Sequence, residues 1–465
     1  MKKTIAAILL LVMMLAICAC GKSGATDKGD GNTTVNNGDQ ESGATIDTGA
    51  MILTKIGTVP GDVNFSSGGI ITKSEGEKIQ VLNQDGASFN DKWYDEVESI
   101  ISTGICVVSA ADTSGKVLLG VVDSLNEKEL LPCEAVEVVK LSDRFVLLGY
   151  ETGLGTSDDR FGTYYTGSGA VYYKGYGKVL DLQKGQIVSG VEINTSMYDV
   201  SAAGNMIYVD RDYRTTDVYS ADGNLMGTYD YIYAYPESEL ALQSVEEGVC
   251  VYDKDMKLVS TLTVTDFYEG YDAVDGSSRM LIHEYVKDGS RYRCVTDLNG
   301  KAITPEYAKI LEVYPEGYLH VIEDDVSKIV DFSGKVMISG FDSVRYAEPG
   351  YFVVRVQEEG YFVYDSTGKK INETAMADGY SGLVIEDSAG KVLIFETGEI
   401  LAADGYAREQ TGSLVLIDST LYDVISGKTV LTEVDSCVAT GGNLYVWDNE
   451  TETYTRYAAE FKAAG

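Results

Sequence analysis

Val295-Thr296-Asp297-Leu298-Asn299-Gly300-Lys301-Ala302-Ile303 is a short apolar run, a polar turn and the start of a second apolar run. The stretch recurs as Ile329-Val330-Asp331-Phe332-Ser333-Gly334-Lys335-Val336 and as Val363-Tyr364-Asp365-Ser366-Thr367-Gly368-Lys369. Weaker copies begin near Asn83, Asp123, Asp181, Ser220, Asp253, Glu396 and Asp423. A carboxylate at this position can accept backbone N–H groups two residues on, and glycine supplies the positive φ that closes a tight hairpin with a bulge. Each copy therefore predicts a hairpin, with Gly300, Gly334 and Gly368 at positive φ. Calcium loops also repeat aspartate. Here the alternating oxygen ligands and terminal bidentate glutamate of a calcium hand are missing, and several copies replace the aspartate, so turn formation accounts for the motif.

Between the turns, apolar residues come in short alternating runs such as 106–109, 145–150, 351–356, 361–364 and 414–417, with no helical period. Valine, isoleucine and 33 tyrosines against 6 prolines suit a pleated, half-buried surface. From Asn83 to Asp423 the turns lie about 38 residues apart on average, close to the roughly 40–45 residues of a four-stranded propeller blade. The shortest intervals leave room for three strands only. The predicted fold is all-β: a β-propeller or propeller-like array of roughly 7–10 units of three to four strands. Ring closure favours it, because closure removes the exposed edges of an open stack. An open β-hairpin solenoid is the alternative.

More of the unit repeats around each turn. Pro305-Glu306-Tyr307 follows one turn, Glu316-Gly317-Tyr318-Leu319-His320-Val321 leads into the next strand, and Gly120-Val121-Val122-Asp123 continues to Leu130-Leu131-Pro132. Over most of residues 70–430 this pattern resembles the WG-type β-repeat of bacterial surface proteins. The tryptophan that names that repeat is replaced by Leu119, Arg293, Ser327 and Tyr361.

The N-terminus predicts location. Lys2 and Lys3 precede an apolar run over residues 5–17, the layout of a secretory signal and too short to span a bilayer comfortably. Ile17-Cys18-Ala19-Cys20-Gly21 resembles the lipobox of bacterial lipoproteins. That resemblance implies removal of residues 1–19, lipidation of Cys20 and display on the outer face of a bacterial cytoplasmic membrane. Cys18 fits less well, because Ile17 stands where the family's peptidase takes a small side chain. Residues 21–50 hold only Val35 and Ile46 as apolar side chains larger than alanine, too little to offset ordering entropy by burial. They are expected to be a tether reaching about 30 Å. The domain expectation is thus signal peptide 1–19, lipidated cysteine and tether 20–50, and β-repeat body 51–465.

The longest interval between turns holds an insertion over residues 151–177, rich in glycine and in Tyr164, Tyr165, Tyr172, Tyr173 and Tyr176. Tyrosine offers large amphipathic area at low rotamer cost, so these five are the candidate ligand-binding residues. The plainer reading is an over-long hairpin whose tyrosines cover a sheet edge. Cys106, Cys133, Cys250, Cys294 and Cys437 are odd in number, which leaves either a Cys106–Cys133 bridge or buried thiols.

Composition excludes several functions. A net charge of −35 repels phosphate backbones and removes the footing for nucleic-acid binding or for an electrostatic grip on anionic lipid. Two histidines, His283 and His320, make a multi-histidine metal centre implausible. Nucleophile-elbow and phosphate-loop motifs are absent, and no carboxylate pair stands out, so no catalytic residue, metal or cofactor is assigned. The expected function is a non-enzymatic, membrane-anchored binding or protein-interaction module for an extracellular protein or glycan. A propeller-type carbohydrate-active enzyme and an envelope assembly scaffold are the alternatives.

Overall fold

The computed structural model describes residues 43–150, 164–165, 171–212, 214–265, 268–347, 350–377, 385–386, 390–401 and 407–462. Cys20, the signal segment and most of the tether lie outside them. The turns form as predicted. Gly300, Gly334 and Gly368 have φ of 77°, 89° and 83°. Asp297 Oδ1 accepts the N–H groups of Asn299 (2.9 Å) and Lys301 (3.0 Å), and Asp331 and Asp365 do the same two and four residues on. The weaker copies also sit where the chain reverses between hydrogen-bonded segments.

Strand residues alternate between neighbours on either side, and this builds the architecture. Among the described residues there are ten antiparallel sheets of three to eight strands and no α-helix. The eight-stranded sheet holds two units in series, because Gln186–Ala203 closes one unit by pairing with Val171–Asp181 and opens the next by pairing with Met206–Asp210. Each apolar cluster is shared between neighbouring units. Val107 and Val121 meet Val146 and Leu180, Phe145 and Leu147 meet Ala202 and Ile207, and Leu240 and Val251 meet Leu281. Further along, Val353 shares a cluster with Val392 and Val415, and Leu414 packs on Leu444 and Leu53. Finally Val59 and Tyr445 of the last sheet join Ile71 and Leu82 of the first.

The packing therefore forms a closed circuit. Its seam is a single sheet made from both ends of the chain: Met51–Pro60 pairs antiparallel with Thr453–Phe461. Across the seam Gly69 N–H donates to Thr440 Oγ1 at 2.8 Å, and Thr440 donates to the Ser66 carbonyl at 2.6 Å. Gly69 has φ 75°, and a Cβ there would stand 3.0 Å from Gly441 Cα, so backbone conformation and close approach both favour glycine. The fold is the all-β, propeller-type ring, and the open solenoid is excluded.

The predicted tether boundary shifts. Thr45–Asp47 is a strand paired with Met51–Pro60, Ile46 is buried against Leu53 and Leu444, and Thr48 is 1% exposed. The composition of residues 21–50 hides this, because one isoleucine and one threonine do the packing. All five body cysteines are free, so the Cys106–Cys133 bridge is not formed. Burial pushes the Cys106 thiol up to about 12.

Candidate functional site

Among the described residues, aromatic clusters recur around the ring, Phe65 with Tyr445 and Tyr454 and Tyr314 with Tyr346 and Phe352 among them, and two tyrosine-rich stretches bear on a candidate site. The first is the insertion. Residues 151–163 and 166–170 lie outside the described residues. Tyr164–Tyr165 pairs with Val171–Asp181, placing Tyr164 opposite Tyr172 and Tyr165 opposite Val171, and Tyr173 opposes Tyr198 on the other side. Over 171–177 the insertion is thus a strand extension rather than an open loop. Tyr164, Tyr165, Tyr172 and Tyr173 belong to one small ladder. Tyr176 lies farther along, opposite Tyr150, with ring centroids 6.1 Å apart. Lys178 Nζ sits over both rings, at 5.6 and 5.8 Å from the centroids. Burial, then the neighbouring Glu134, pushes the Tyr150 phenol up to about 12.

The second place was not singled out by the sequence motifs. Ile232–Tyr235 alternates buried Ile232 and Ala234 with outward Tyr233 and Tyr235, because successive strand side chains point to opposite faces. Ile232 and Ala234 pack back on the preceding unit with Ala203 and Met206. Tyr233 and Tyr235 face the following sheet, and between the two lies a cleft of about 770 Å³, inside the roughly 300–1,000 Å³ range of ligand sites. Tyr233, Tyr235, Tyr271, Glu246, Glu269 and Asp272 line it. Tyr233 remains 53% exposed.

The far wall is built by cross-strand pairing. Tyr271 lies directly opposite His283, and their rings stack at 4.3 Å with an interplanar angle of 5°. Tyr285 continues the stack, 4.8 Å from the His283 ring. Glu269 anchors it: Oε1 is 2.8 Å from His283 Nε2, while Oε2 accepts the Thr265 N–H (2.6 Å) and hydroxyl (2.8 Å). Burial would raise the Glu269 carboxyl, but the Thr265 and His283 hydrogen bonds outweigh it and hold the group below the usual carboxylate range. Tyr235 donates its hydroxyl to Asp272 at 3.1 Å; burial first, and this carboxylate second, push its phenol upward.

Chemically the cleft offers flat aromatic faces and carboxylate acceptors. Among the described residues no group of three histidine, cysteine or acidic side chains is arranged to hold a metal ion. The alternating Tyr231-Ile232-Tyr233-Ala234-Tyr235 was the one signal in the sequence that could have marked the near wall. His283 and Glu269 carry no motif.

No protein-family model matches the chain, and no curated protein matches it. Among solved structures it is similar to BamB from Moraxella catarrhalis, at 12% identity and a TM-score of 0.27, covering 70% of this chain and 92% of that one. It is similar to Sqt1 from Chaetomium thermophilum at 10% identity and a TM-score of 0.29, covering 70% and 94%. The β-propeller domain of the Trilobed protease from Pyrococcus furiosus, described as having an open velcro topology, matches at 11% identity and a TM-score of 0.26, covering 69% and 91%. Overlays this loose carry no functional argument.

Proposed function

We propose that the protein is a lipid-anchored, extracytoplasmic binding module whose ring presents an aromatic cleft to a ligand. The observation that carries the reading is the cleft itself, with exposed Tyr233 on one wall and Tyr271, backed by the His283 ring, on the other. Anchoring is supported by Ile17-Cys18-Ala19-Cys20 and by the polar stretch up to residue 42. A glycoside hydrolase would need one carboxyl held protonated near neutral pH beside a second, ionised one. Glu269, lowered by three hydrogen bonds, does not fit the protonated role, and Asp272 is engaged by Tyr235. The cleft is therefore read as a binding surface.

The test has two arms. Cys20→Ala should release the protein from the membrane fraction and abolish acyl labelling, whereas labelling that persists in this variant and disappears in Cys18→Ala reassigns the anchor. The full chain in detergent, applied to glycan and peptide arrays, should show a ligand lost on Tyr233→Leu. Binding that survives Tyr233→Leu but is lost when residues 151–177 are shortened would move the site to the insertion.

A further inference from the structure

Resting on that binding-module reading, we propose that the cleft between Ile232–Tyr235 and Gly270–Ala273 takes a guanidinium or ammonium side chain presented by a basic peptide. Two observations on different residues point there. The first is the donor and acceptor balance of the lining. Glu246, Glu269 and Asp272 are acceptors, no lining side chain is a lysine, an arginine or an amide, and the Tyr235 and Thr265 hydroxyls already donate to Asp272 and Glu269, which leaves the Ser244, Tyr233 and Tyr271 hydroxyls as the side-chain donors. A sugar brings as many acceptors as donors and meets more carboxylate than donor here. Guanidinium and ammonium groups only donate. The neighbouring cleft of equal volume, by contrast, places Arg345 among its acids.

The second observation is how this chain treats the other exposed tyrosines among the described residues, Tyr231 and Tyr268, and the pair Tyr150 and Tyr176. Arg214 lies 5.3 Å over the Tyr231 ring, Arg291 lies 5.7 Å over Tyr268, and Lys178 covers Tyr150 and Tyr176. Each pairing is a cation held against an aromatic face. Among the described residues no lysine or arginine covers Tyr233, which is more exposed than Tyr231 and faces the acid-lined cleft. The cation that completes Tyr233 comes from outside. At about 770 Å³ the cleft exceeds one guanidinium, so a peptide carrying several basic side chains fits better than a free amine.

The experiment is calorimetric titration of the full chain in detergent with Ac-Arg-Arg-Arg-NH2, with the isosteric citrulline tripeptide, with agmatine and with maltotriose. Arginine tripeptide should bind, agmatine at least tenfold more weakly, and the uncharged citrulline peptide and maltotriose not measurably. Tyr233→Leu and Asp272→Asn should each weaken the arginine peptide at least tenfold. Glu98→Gln, on a different sheet, removes the same charge as Asp272→Asn and should leave affinity unchanged. Thermal melts of each variant confirm that the fold persists. Equal loss in Glu98→Gln and Asp272→Asn would overturn the proposal by showing general attraction to an acidic protein, as would equal binding of the citrulline peptide. Maltotriose binding lost on Tyr233→Leu would also overturn it while leaving the binding-module reading intact.

Discussion

Aspartate closes hairpins in this ring in two ways, and the two differ in reach. At Asp297, Asp331 and Asp365 the carboxylate is partly exposed and caps its own turn through one oxygen. At Asp123, Asp181 and Asp423 the turn is longer, the carboxylate is at most 3% exposed, and the second oxygen does separate work. Asp181 receives Arg144 through Nε (3.2 Å) and Nη2 (2.7 Å); Arg144 also donates to Asn205, which bonds Asp255 at 2.7 Å. Asp423 receives the Thr48 hydroxyl at 2.7 Å and the Ala50 N–H at 2.8 Å, pinning the N-terminal strand to a turn some 370 residues away. The exposed turns shape single units. Of the buried ones, Asp123 spends its second oxygen on the Asn126 amide of its own turn, while Asp181 and Asp423 rivet units to each other.

The largest effect should come from Asp181→Ala. It strands the Arg144 guanidinium, 15% exposed, without its carboxylate; breaking such a buried pair costs about 3–5 kcal/mol. Asp331→Ala, which loses only local hydrogen bonds, from the Ser333 hydroxyl and two backbone amides of an exposed turn, should cost about 1 kcal/mol. Denaturant titration of both variants measures the contrast, and equal losses would erase the distinction between the two turn classes. Next comes Asp423→Ala, expected to cost about 1–3 kcal/mol by taking the acceptor from the Ala50, Ile425 and Ser426 N–H groups and cutting the link to Thr48, whose hydroxyl keeps its bonds with Met51. Amide exchange should show Met51–Pro60 opening earlier in this variant. If protection there is unchanged, Asp423 is not what holds the seam.

Gly334→Val sharpens the exposed class. Gly334 has φ 89°, and a Cβ there would lie 2.8 Å from Pro305 Cγ, so about 1–2 kcal/mol of backbone strain is joined by a clash. Lys335→Ala, one residue on, should fall within about 0.5 kcal/mol of the parent. Comparable losses at the two positions would contradict a turn governed by backbone geometry.

These contrasts also show what the sequence could and could not reveal. Asp-x-x-Gly-Lys is a local signal, because each of its hydrogen bonds closes within five residues, and so the hairpins were legible. Asp448 was missed although it accepts the Glu450 N–H at 2.9 Å, because the residue at positive φ in its turn is Glu452 rather than glycine. Burial of Asp181 and Asp423 was illegible, since their partners Arg144 and Thr48 belong to no shared motif. Pairing of Met51–Pro60 with Thr453–Phe461 spans nearly the whole chain and leaves only two ordinary strand patterns behind. The cleft was hidden for the same reason: its tyrosines, glutamate and histidine come from separate segments and meet only after the sheets stack.

The smallest expected effect is on acid stability. The Ser333 hydroxyl first, with the backbone amides of Lys335 and Ser333, holds the Asp331 carboxyl below the usual carboxylate range against the opposing effect of burial. At Asp365 burial is the largest influence and acts upward, but Thr367 and the Lys369 N–H outweigh it, and this carboxyl too is lowered. A group whose pKa is lower folded than unfolded binds fewer protons in the folded state. Its contribution is complete above the unfolded pKa, near 3.9, and is lost as pH falls through the lower folded value. Asp331→Asn with Asp365→Asn keeps a turn-capping oxygen but removes both titrations. The double variant should therefore lose stability less steeply than the parent below about pH 4, while the two curves run nearly parallel at neutral pH. Both groups are solvent-facing, so the difference should shrink as salt is raised. An acid limb equally steep in the variant would show that these two turn carboxyls do not set the acid sensitivity of the ring.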